Sequence, residues 1–334
     1  MSKPAEEKHG TFVPLSERFT DSNPANPGKI AADCILEQAI EQYQIRSFST
    51  ALKTFQQALD AYRNLKDAQG EGRALGGLGV VYYALGNYSE AIACSHQSLT
   101  LARTLKDYPT ERQALSNLGN AYRHQEDYPR ALQYKQQSLE VAQRAQDRRA
   151  EMAAFNNLGM AYKAMGDCPQ AIYCYQRSLA IAHELVDVQL EGQVLRNMGN
   201  AYHAMANYAQ TVICYERLLT IARQNSDRQA EAQILKNLAS ACYTAGDLNK
   251  AIAYHHQRLT IARQLKDPRT QEQILENLAI LYDSLGNSQR AIECYEQRLA
   301  VVRAMQDPTL EEQALTSLQT ACYAIGDFSR ANRN

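Results

Sequence analysis

The sequence predicts an all-α fold, a solenoid of antiparallel helix pairs with a period of 40 residues. Three observations predict it. From Ala31 onward the 334-residue chain divides into blocks of 40 without insertion or deletion, and a fixed period of this size indicates a repeat array. Each block carries two helix-capping positions, 20 residues apart. The apolar residues between them recur at spacings of three and four, which place side chains on one helix face.

The period is visible at single positions once each block is numbered from 1 to 40. The blocks start at residues 31, 71, 111, 151, 191, 231, 271 and 311, and the eighth stops at residue 334. Position 29 is leucine in all seven complete blocks, from Leu59 to Leu299. Position 37 is aspartate in all seven: Asp67, Asp107, Asp147, Asp187, Asp227, Asp267 and Asp307.

The helix ends follow from capping residues. Position 17 holds Ser, Asn or Asp and position 37 holds Asp, and such side chains accept hydrogen bonds from the first turn of a helix. Pro268 and Pro308 directly follow a capping aspartate, where a helix tolerates proline. Glycine at position 16 in five blocks suits a helix C-terminus. Each block therefore predicts two helices of about 15–18 residues, which we call helix A and helix B.

Apolar residues give each helix a buried face. In block 111, helix A carries Leu115, Leu118 and Tyr122 at positions 5, 8 and 12. Helix B has apolar residues at positions 21, 22, 29 and 32, whereas positions 25 and 28 vary. Position 9 is Gly or Ala in each of the six blocks from 71 to 271, so two helices are expected to approach closely there.

Two segments, Asn117–Tyr122 and Gly166–Ile172, resemble the signature of the tetratricopeptide repeat (TPR) family: a Leu-Gly pair, a Tyr, a Gly-Asp turn and an Ala-Ile pair. The resemblance covers residues 31–334 and implies a right-handed TPR α-solenoid. It also implies a non-catalytic scaffold or adaptor that binds an extended peptide in a concave groove lined by helix A. The period is longer than the usual TPR unit of about 34 residues and resembles that of Pins/LGN adaptors and of bacterial TPR signalling arrays.

The repeat pattern divides the chain. Residues 1–30 contain four prolines and no periodicity, so they are predicted to form a flexible leader. Residues 31–334 are predicted to form the array, with 31–70 as an atypical N-terminal repeat, 71–310 as six regular repeats and 311–334 as a partial repeat. That last stretch either caps the array or belongs to a longer protein.

Charge and composition exclude several functions. Lys plus Arg is 35 and Asp plus Glu is 36, a balance that provides no field for nucleic acid or for an anionic membrane. No segment is apolar enough for membrane insertion, and the N-terminus lacks the apolar stretch of a secretion signal. The eight cysteines include no C-x-x-C pair, so they are predicted to be reduced thiols of a cytoplasmic protein.

No catalytic pattern is present. The cysteines occupy core positions of the predicted helices, where thiols pack as small apolar groups. His255 and His256 are adjacent on a helix and point about 100° apart, which disfavours a shared metal. The chain also lacks phosphate-loop, dinucleotide-binding and zinc-protease motifs. We therefore expect no enzyme activity, no cofactor and no metal site.

Position 7 of helix A carries the most informative residues, which we call the Asn ladder. Five successive blocks place asparagine there: Asn117, Asn157, Asn197, Asn237 and Asn277. An amide both donates and accepts hydrogen bonds, so the ladder suits the backbone of an extended peptide of variable sequence. The alternative is that these amides bond the neighbouring helix, or reflect only duplication of the repeat.

Cationic residues surround the Asn ladder at positions 3, 6 and 13 of helix A. They are Arg73, Arg123, Lys163, Arg196, His203 and Lys236. In block 271 the acidic Glu276 and Asp283 take these places. A positive groove that favours an acidic or C-terminal peptide segment is therefore expected in blocks 71 to 231; the alternative is a solvated helix surface.

The expected partner is thus a protein or peptide ligand. Two other functions remain open at this stage. The array could be a regulatory or sensory domain of a larger signalling protein, or a structural module that self-associates through its repeat ends.

Overall fold

The computed structural model describes residues 26–331; residues 1–25 and 332–334 lie outside the described range. Residues 26–331 form helices and contain no strand. The helices are α1 (Pro27–Gln44), α2 (Phe48–Leu65), α3 (Ala68–Ala84), α4 (Tyr88–Leu105), α5 (Tyr108–His124), α6 (Tyr128–Arg144), α7 (Arg148–Ala164), α8 (Cys168–Leu185), α9 (Val188–Ala204), α10 (Tyr208–Gln224), α11 (Arg228–Thr244), α12 (Leu248–Gln264), α13 (Pro268–Ser284), α14 (Ser288–Met305), α15 (Pro308–Ala324) and α16 (Phe328–Ala331). Odd-numbered helices are the A helices and even-numbered helices are the B helices, so the all-α prediction is confirmed.

Each of the seven position-37 aspartates caps an A helix. Its carboxylate accepts a hydrogen bond from the backbone N–H three residues later, over distances of 2.9 to 3.2 Å. Asp147, for example, accepts from the N–H of Ala150 at 2.9 Å. The predicted starts of these helices are confirmed.

The first helix begins earlier than the predicted array. Helix α1 starts at Pro27, four residues before Ala31 and one residue before position 38 of the preceding block, at which the later A helices begin. No aspartate occupies the capping place here, and the side chain of Asn26 instead accepts from the N–H of Gly28 at 3.0 Å. Residues 27–30 therefore belong to a helix and not to the predicted leader, whose remaining residues 1–25 lie outside the described range.

The chain forms two compact units, one ending at Leu185 and the other beginning at Val186. Within each unit every helix packs against the next one in sequence. In the first unit successive A helices also contact one another, α1 with α3, α3 with α5 and α5 with α7. Successive A helices of that unit are therefore in direct contact, although a B helix separates them in the sequence.

The small residue at position 9 makes room for a large side chain on helix B. A Cβ atom added to Gly159 would lie 2.5 Å from the ring of Tyr175, at position 25. A Cβ on Gly119 would lie 2.8 Å from Cε of Lys135, which holds the same position in its block. The expected close approach of two helices is thus present within each of these repeats.

Every B helix from α2 to α14 is followed by a residue in the left-handed region at position 36, and none of these residues is glycine. Their φ values are 52° to 57°, and they are Lys66, Lys106, Gln146, Val186, Ser226, Lys266 and Gln306. The sequence analysis identified only the glycines of position 16, such as Gly86 and Gly166, whose φ values are also positive. A backbone constraint shared by several residue types leaves no signal at a single position.

Val186 is the unfavourable member of this set, since a β-branched side chain strains the left-handed region. Its side chain is 80% exposed, so a substitution removes little packing. We expect Val186→Gly to raise the free energy of unfolding by about 1 kcal/mol. The control is Lys266→Gly. Lys266 stands at the same repeat position with a φ of 53°, but its side chain is not β-branched, so the free energy of unfolding should increase by less. Equal midpoints of urea unfolding for the two variants would contradict the strain argument.

Seven of the eight cysteines are buried or half-buried as predicted, whereas Cys34 is exposed, contrary to the core position predicted for it. All eight are free thiols. Burial raises the pKa of the thiols of Cys174, Cys214, Cys242 and Cys294 to about 11. Leu139, Leu179 and Leu219, at position 29, are buried beside this layer, which supports the predicted register.

These thiols should therefore react slowly in the native protein. At pH 8 a thiol with a pKa of 11 is about 0.1% thiolate, and thiolate is the reactive form. We expect iodoacetamide to modify Cys34 in the native protein, and the four deeply buried cysteines only in denaturant, as read by peptide mass spectrometry. Equal rates for the four cysteines in native and denatured protein would show that this core is open.

Candidate functional site

We call positions 6, 7, 10 and 13 of the A helices the A face; these positions are exposed or half-buried in α9, α11 and α13, and largely buried in α3. In α11 the neighbouring positions are buried, with Leu235 and Leu238 at 0% exposure. Lys236, Ser240 and Tyr243 on the A face are exposed. The helical period therefore separates the packing residues from those that face solvent.

Asn117 differs from the other members of the Asn ladder. It is only 6% exposed, its Nδ2 donates to the carbonyl of Gly76 on α3 at 3.2 Å, and its Oδ1 accepts from Gln113 at 2.9 Å. This amide joins two successive A helices. Its geometry favours the alternative interpretation, in which the asparagine bonds the neighbouring helix.

Asn157, on α7, is half-buried and donates to the hydroxyl of Ser116 at 3.5 Å, a long hydrogen bond. The second unit carries the other three members of the ladder. Asn197 and Asn237 are half-buried, and Asn237 accepts from Gln233 at 3.2 Å. Asn277 is exposed and makes no hydrogen bond with any residue from 26 to 331. Exposure of the ladder thus increases along the chain.

The predicted cations of the first unit are partly neutralised. Arg73 pairs with Asp33 of α1 at 3.3 Å, so it contributes little free positive charge to the A face. Arg123 is half-buried and contacts the ring of His124, with 3.1 Å between Nη2 and Nε2. Lys163 is half-buried, and within the described part of the chain it has no carboxylate partner.

The cations of the second unit are more accessible. Arg196 and Lys236 are exposed and have no ion pair among the described residues. The Arg196 charge lowers the pKa of Tyr215, although burial raises that pKa by more. His203 is exposed and lies edge-on to the ring of Tyr208, 5.5 Å between centroids. The A face of this unit therefore presents positive charge beside the amides of the Asn ladder.

The predicted acidic end is partly compensated. Glu276 pairs with Arg298 of α14, 3.0 Å between Oε1 and Nη2. Arg298 is 2% exposed and also pairs with the buried Glu272 at 2.6 Å. Asp283 is the exposed acidic group that remains there.

B helices also supply polar groups beside the A face, which the sequence analysis did not identify. Lys135 on α6 is 2% exposed, and its Nζ donates to the carbonyl of Ser116 at 3.2 Å and to Oδ1 of Asn120 at 2.5 Å. His255 and Arg258 on α12 are both 9% exposed. The signal was present in the sequence: these side chains stand at positions 25 and 28, where the apolar stripe of helix B is interrupted.

His255 and Arg258 have buried polar atoms without a hydrogen-bond partner, Nδ1 and Nε respectively. Burial, assisted by the charges of Arg258 and His256, lowers the pKa of His255 to about 4. The imidazole is therefore neutral at pH 7, whereas the arginine stays protonated.

The described range contains no group of three or more His, Cys, Asp and Glu side chains that could hold a metal ion. In the same range, no helix combines the length and the apolar character needed to cross a membrane.

Comparisons with known proteins agree with the repeat geometry. A tetratricopeptide repeat model matches residues 43–104, 110–184 and 190–264, and a second one matches residues 274–309. Together these ranges cover most of the chain. The chain belongs to the tetratricopeptide repeat family, as its sequence predicted. The comparison with curated proteins gives no match.

Several solved structures share the fold at low sequence identity. A STAND-class signal transduction ATPase with a tetratricopeptide repeat sensor, from Pyrococcus horikoshii, is 17% identical over 92% of this chain, with a TM-score of 0.63. The chain spans 46% of that protein. A Rap protein complexed with competence and sporulation factor is 18% identical, covering 86% of this chain and 78% of its own, with a TM-score of 0.57.

The quorum sensor NprR from B. thuringiensis, in its apo form, is also similar. It is 16% identical, covers 93% of this chain and 87% of its own, and has a TM-score of 0.54. At such identities the likeness concerns the fold.

The two kinds of ladder asparagine should respond differently to truncation. Asn117→Ala removes a buried hydrogen bond and should lower the free energy of unfolding by about 1–3 kcal/mol. Asn277→Ala is the matched control, because it is the same substitution at the same repeat position, but the side chain is exposed. It should change the free energy of unfolding by less than about 0.5 kcal/mol. Urea unfolding followed by circular dichroism measures both. Equal losses would show that Asn117 does not bond the neighbouring helix.

Proposed function

We propose that the protein is a scaffold or adaptor that binds an extended peptide segment on the A face of its second unit. The single observation that carries this proposal is the set of unengaged polar groups there: Asn277, Lys236 and Arg196 have no ion pair or hydrogen bond among the described residues. Asn197 and Asn237 accompany them at position 7. The amide of Asn277 and the cations Lys236 and Arg196 are available to a ligand backbone and to its acidic side chains.

Spacing supports an extended ligand. Packed helices lie about 8–10 Å apart, which is close to three residues of extended peptide. Because the A helices of the second unit, unlike those of the first, do not pack directly on one another, one asparagine per repeat would meet every third or a later residue of a strand that crosses α9, α11 and α13. Exposed apolar side chains on the same face, Tyr243 and Ile280, 56% and 46% exposed, provide contacts for apolar residues of the peptide. The proposed ligand is therefore a peptide with both acidic and apolar residues.

In the first unit, Asn157, Lys163 and Arg123 are half-buried, so that unit offers fewer accessible polar groups of its own. Asn117 is assigned to the bond between A helices. Eight free thiols, five of them buried, support a reducing compartment such as the cytoplasm.

A sensory role is the second candidate. The Pyrococcus horikoshii protein is a signal transduction ATPase with a tetratricopeptide repeat sensor, and NprR is a quorum sensor. Since the chain spans 46% of the first of these proteins, the proposal would place this array as the ligand-binding part of a signalling system. The same peptide-binding surface serves both candidates.

The test uses a phage-displayed library of random 15-residue peptides, selected on the full chain, with affinities measured by fluorescence polarisation. The triple variant Asn197→Ala, Asn237→Ala, Asn277→Ala should bind the selected peptides about 10- to 1000-fold more weakly. This range follows from about 0.5–1.5 kcal/mol for each amide contact.

A matched triple variant removes three exposed amides elsewhere. It combines Gln224→Ala, Asn225→Ala and Gln264→Ala. The three replaced residues lie at the C-terminal ends of α10 and α12, and their side chains make no hydrogen bond with the described residues. This variant should bind like the wild type. If both triple variants bind equally well, or if the library yields no peptide, the proposed function is wrong.

A further inference from the structure

Arg258 is a buried cation that the second unit leaves without a partner. Its side chain makes no hydrogen bond or ion pair with any residue from 26 to 331, although it is buried, with only 9% of its surface exposed. Burial lowers the pKa of the guanidinium, and the charge of Asp267 opposes this shift. The Asp267 carboxylate itself caps α13 by accepting from the N–H of Thr270 at 3.0 Å. An unpaired buried charge lowers stability, so a compensating group outside the described residues is indicated.

The next repeat contains the same arginine with its partners in place. Arg298 holds position 28, as Arg258 does. Its guanidinium reaches Glu272 at 2.6 Å, Glu276 at 3.0 Å and the hydroxyl of Ser317 at 3.4 Å. These partners stand at positions 2 and 6 of the same block and position 7 of the next one. The three positions thus define what a side chain at position 28 meets.

Around Arg258 the same positions hold Ala232, Lys236 and Asn277. One carboxylate is replaced by a methyl group and the other by a second cation. Contact between positions 2 and 28 is also seen in the block of Gly192, where an added Cβ would lie 3.4 Å from Cδ1 of Leu218. Repeat equivalence therefore places Arg258 beside Ala232, with Lys236 and Asn277 at the edge of the same place on the A face.

We propose that Arg258, Lys236 and Asn277 form a subsite for a carboxylate of the bound ligand, either an acidic side chain or a peptide C-terminus. The guanidinium offers two parallel N–H donors, the geometry that a carboxylate accepts best. Lys236 adds charge and the Asn277 amide adds a donor. The ligand carboxylate would take the place that Glu272 and Glu276 occupy around Arg298. This inference rests on the proposed function for the identity of the ligand as a peptide.

The test uses two defined probes and the full chain. Fluorescein-labelled peptides of ten residues, with alternating Gly and Glu or alternating Gly and Gln, both amidated, are titrated at low salt and followed by fluorescence polarisation. The wild type should bind the Glu probe at least about ten-fold more tightly than the Gln probe, since ion-paired hydrogen bonds are stronger than neutral ones. The Gln probe is also made with a free C-terminal carboxylate. Tighter binding of this peptide than of the amidated Gln probe would reveal recognition of a peptide C-terminus.

Two variants should abolish the preference for a carboxylate. Ala232→Glu supplies the internal partner that Glu272 provides in the next repeat, and Arg258→Met removes the charge while keeping an apolar stem. In both, the affinity for the carboxylate probes should fall to within about two-fold of that for the neutral one. The matched control Thr260→Glu adds the same charge at an exposed position of α12 and should retain the preference.

Thermal unfolding gives a second readout that needs no ligand. Ala232→Glu should raise the midpoint because it pairs a buried charge, whereas Thr260→Glu should not. The proposal is overturned if the wild type shows no preference for either carboxylate probe, if Ala232→Glu and Arg258→Met keep that preference, or if Ala232→Glu lowers the midpoint. Loss of peptide selection with an intact Arg258-dependent preference would instead reject only the proposed function.

Discussion

The aspartate at position 37 determines where every residue of the A face points. By accepting an N–H at the first turn, it fixes the first residue of the following A helix, and a shift of one residue would rotate the helix by about 100°. A cap of this kind contributes about 1 kcal/mol. Recurring ion pairs across the same connection, such as Arg223 with Glu231 at 2.8 Å, add modestly because the arginines are exposed. The constant period of 40 residues preserves this arrangement in each block.

Packing inside the repeat depends on a small residue at position 9, which leaves room for a large side chain at position 25. Glycine on helix A admits Tyr175 in one block and the stem of Lys135 in another. The side chain at position 25 consequently lies against helix A and brings its polar end to residues there. Tyr215 illustrates this, since its hydroxyl donates to Oδ1 of Asn200 at 2.5 Å. The B helices therefore contribute to the chemistry beside the A face, although their exposed sides point elsewhere.

The sequence was sufficient for the fold because the period, the caps and the apolar spacing all repeat seven times. It was less informative about the candidate site, because position within a repeat does not determine exposure. Asn117 and Asn277 share position 7, yet one is buried and the other exposed. Arg73 was predicted as a cation of the positive groove, but it is paired with Asp33 from the preceding block. Such partners depend on side chains in neighbouring repeats, which a comparison of one position at a time does not reveal.

The charge that the A face presents therefore depends on the side chains at several neighbouring repeat positions together. Arg258 and Arg298 are identical residues at equivalent places, but positions 2 and 6 give one of them two carboxylates and the other an alanine and a lysine. Neither exchange removes a cap, because the caps stand at positions 17 and 37. A repeat protein can in this way alter the charge that it presents to a ligand while keeping its fold. Under the proposal made above, the difference between two adjacent blocks would place the carboxylate of the ligand at α11, α12 and α13.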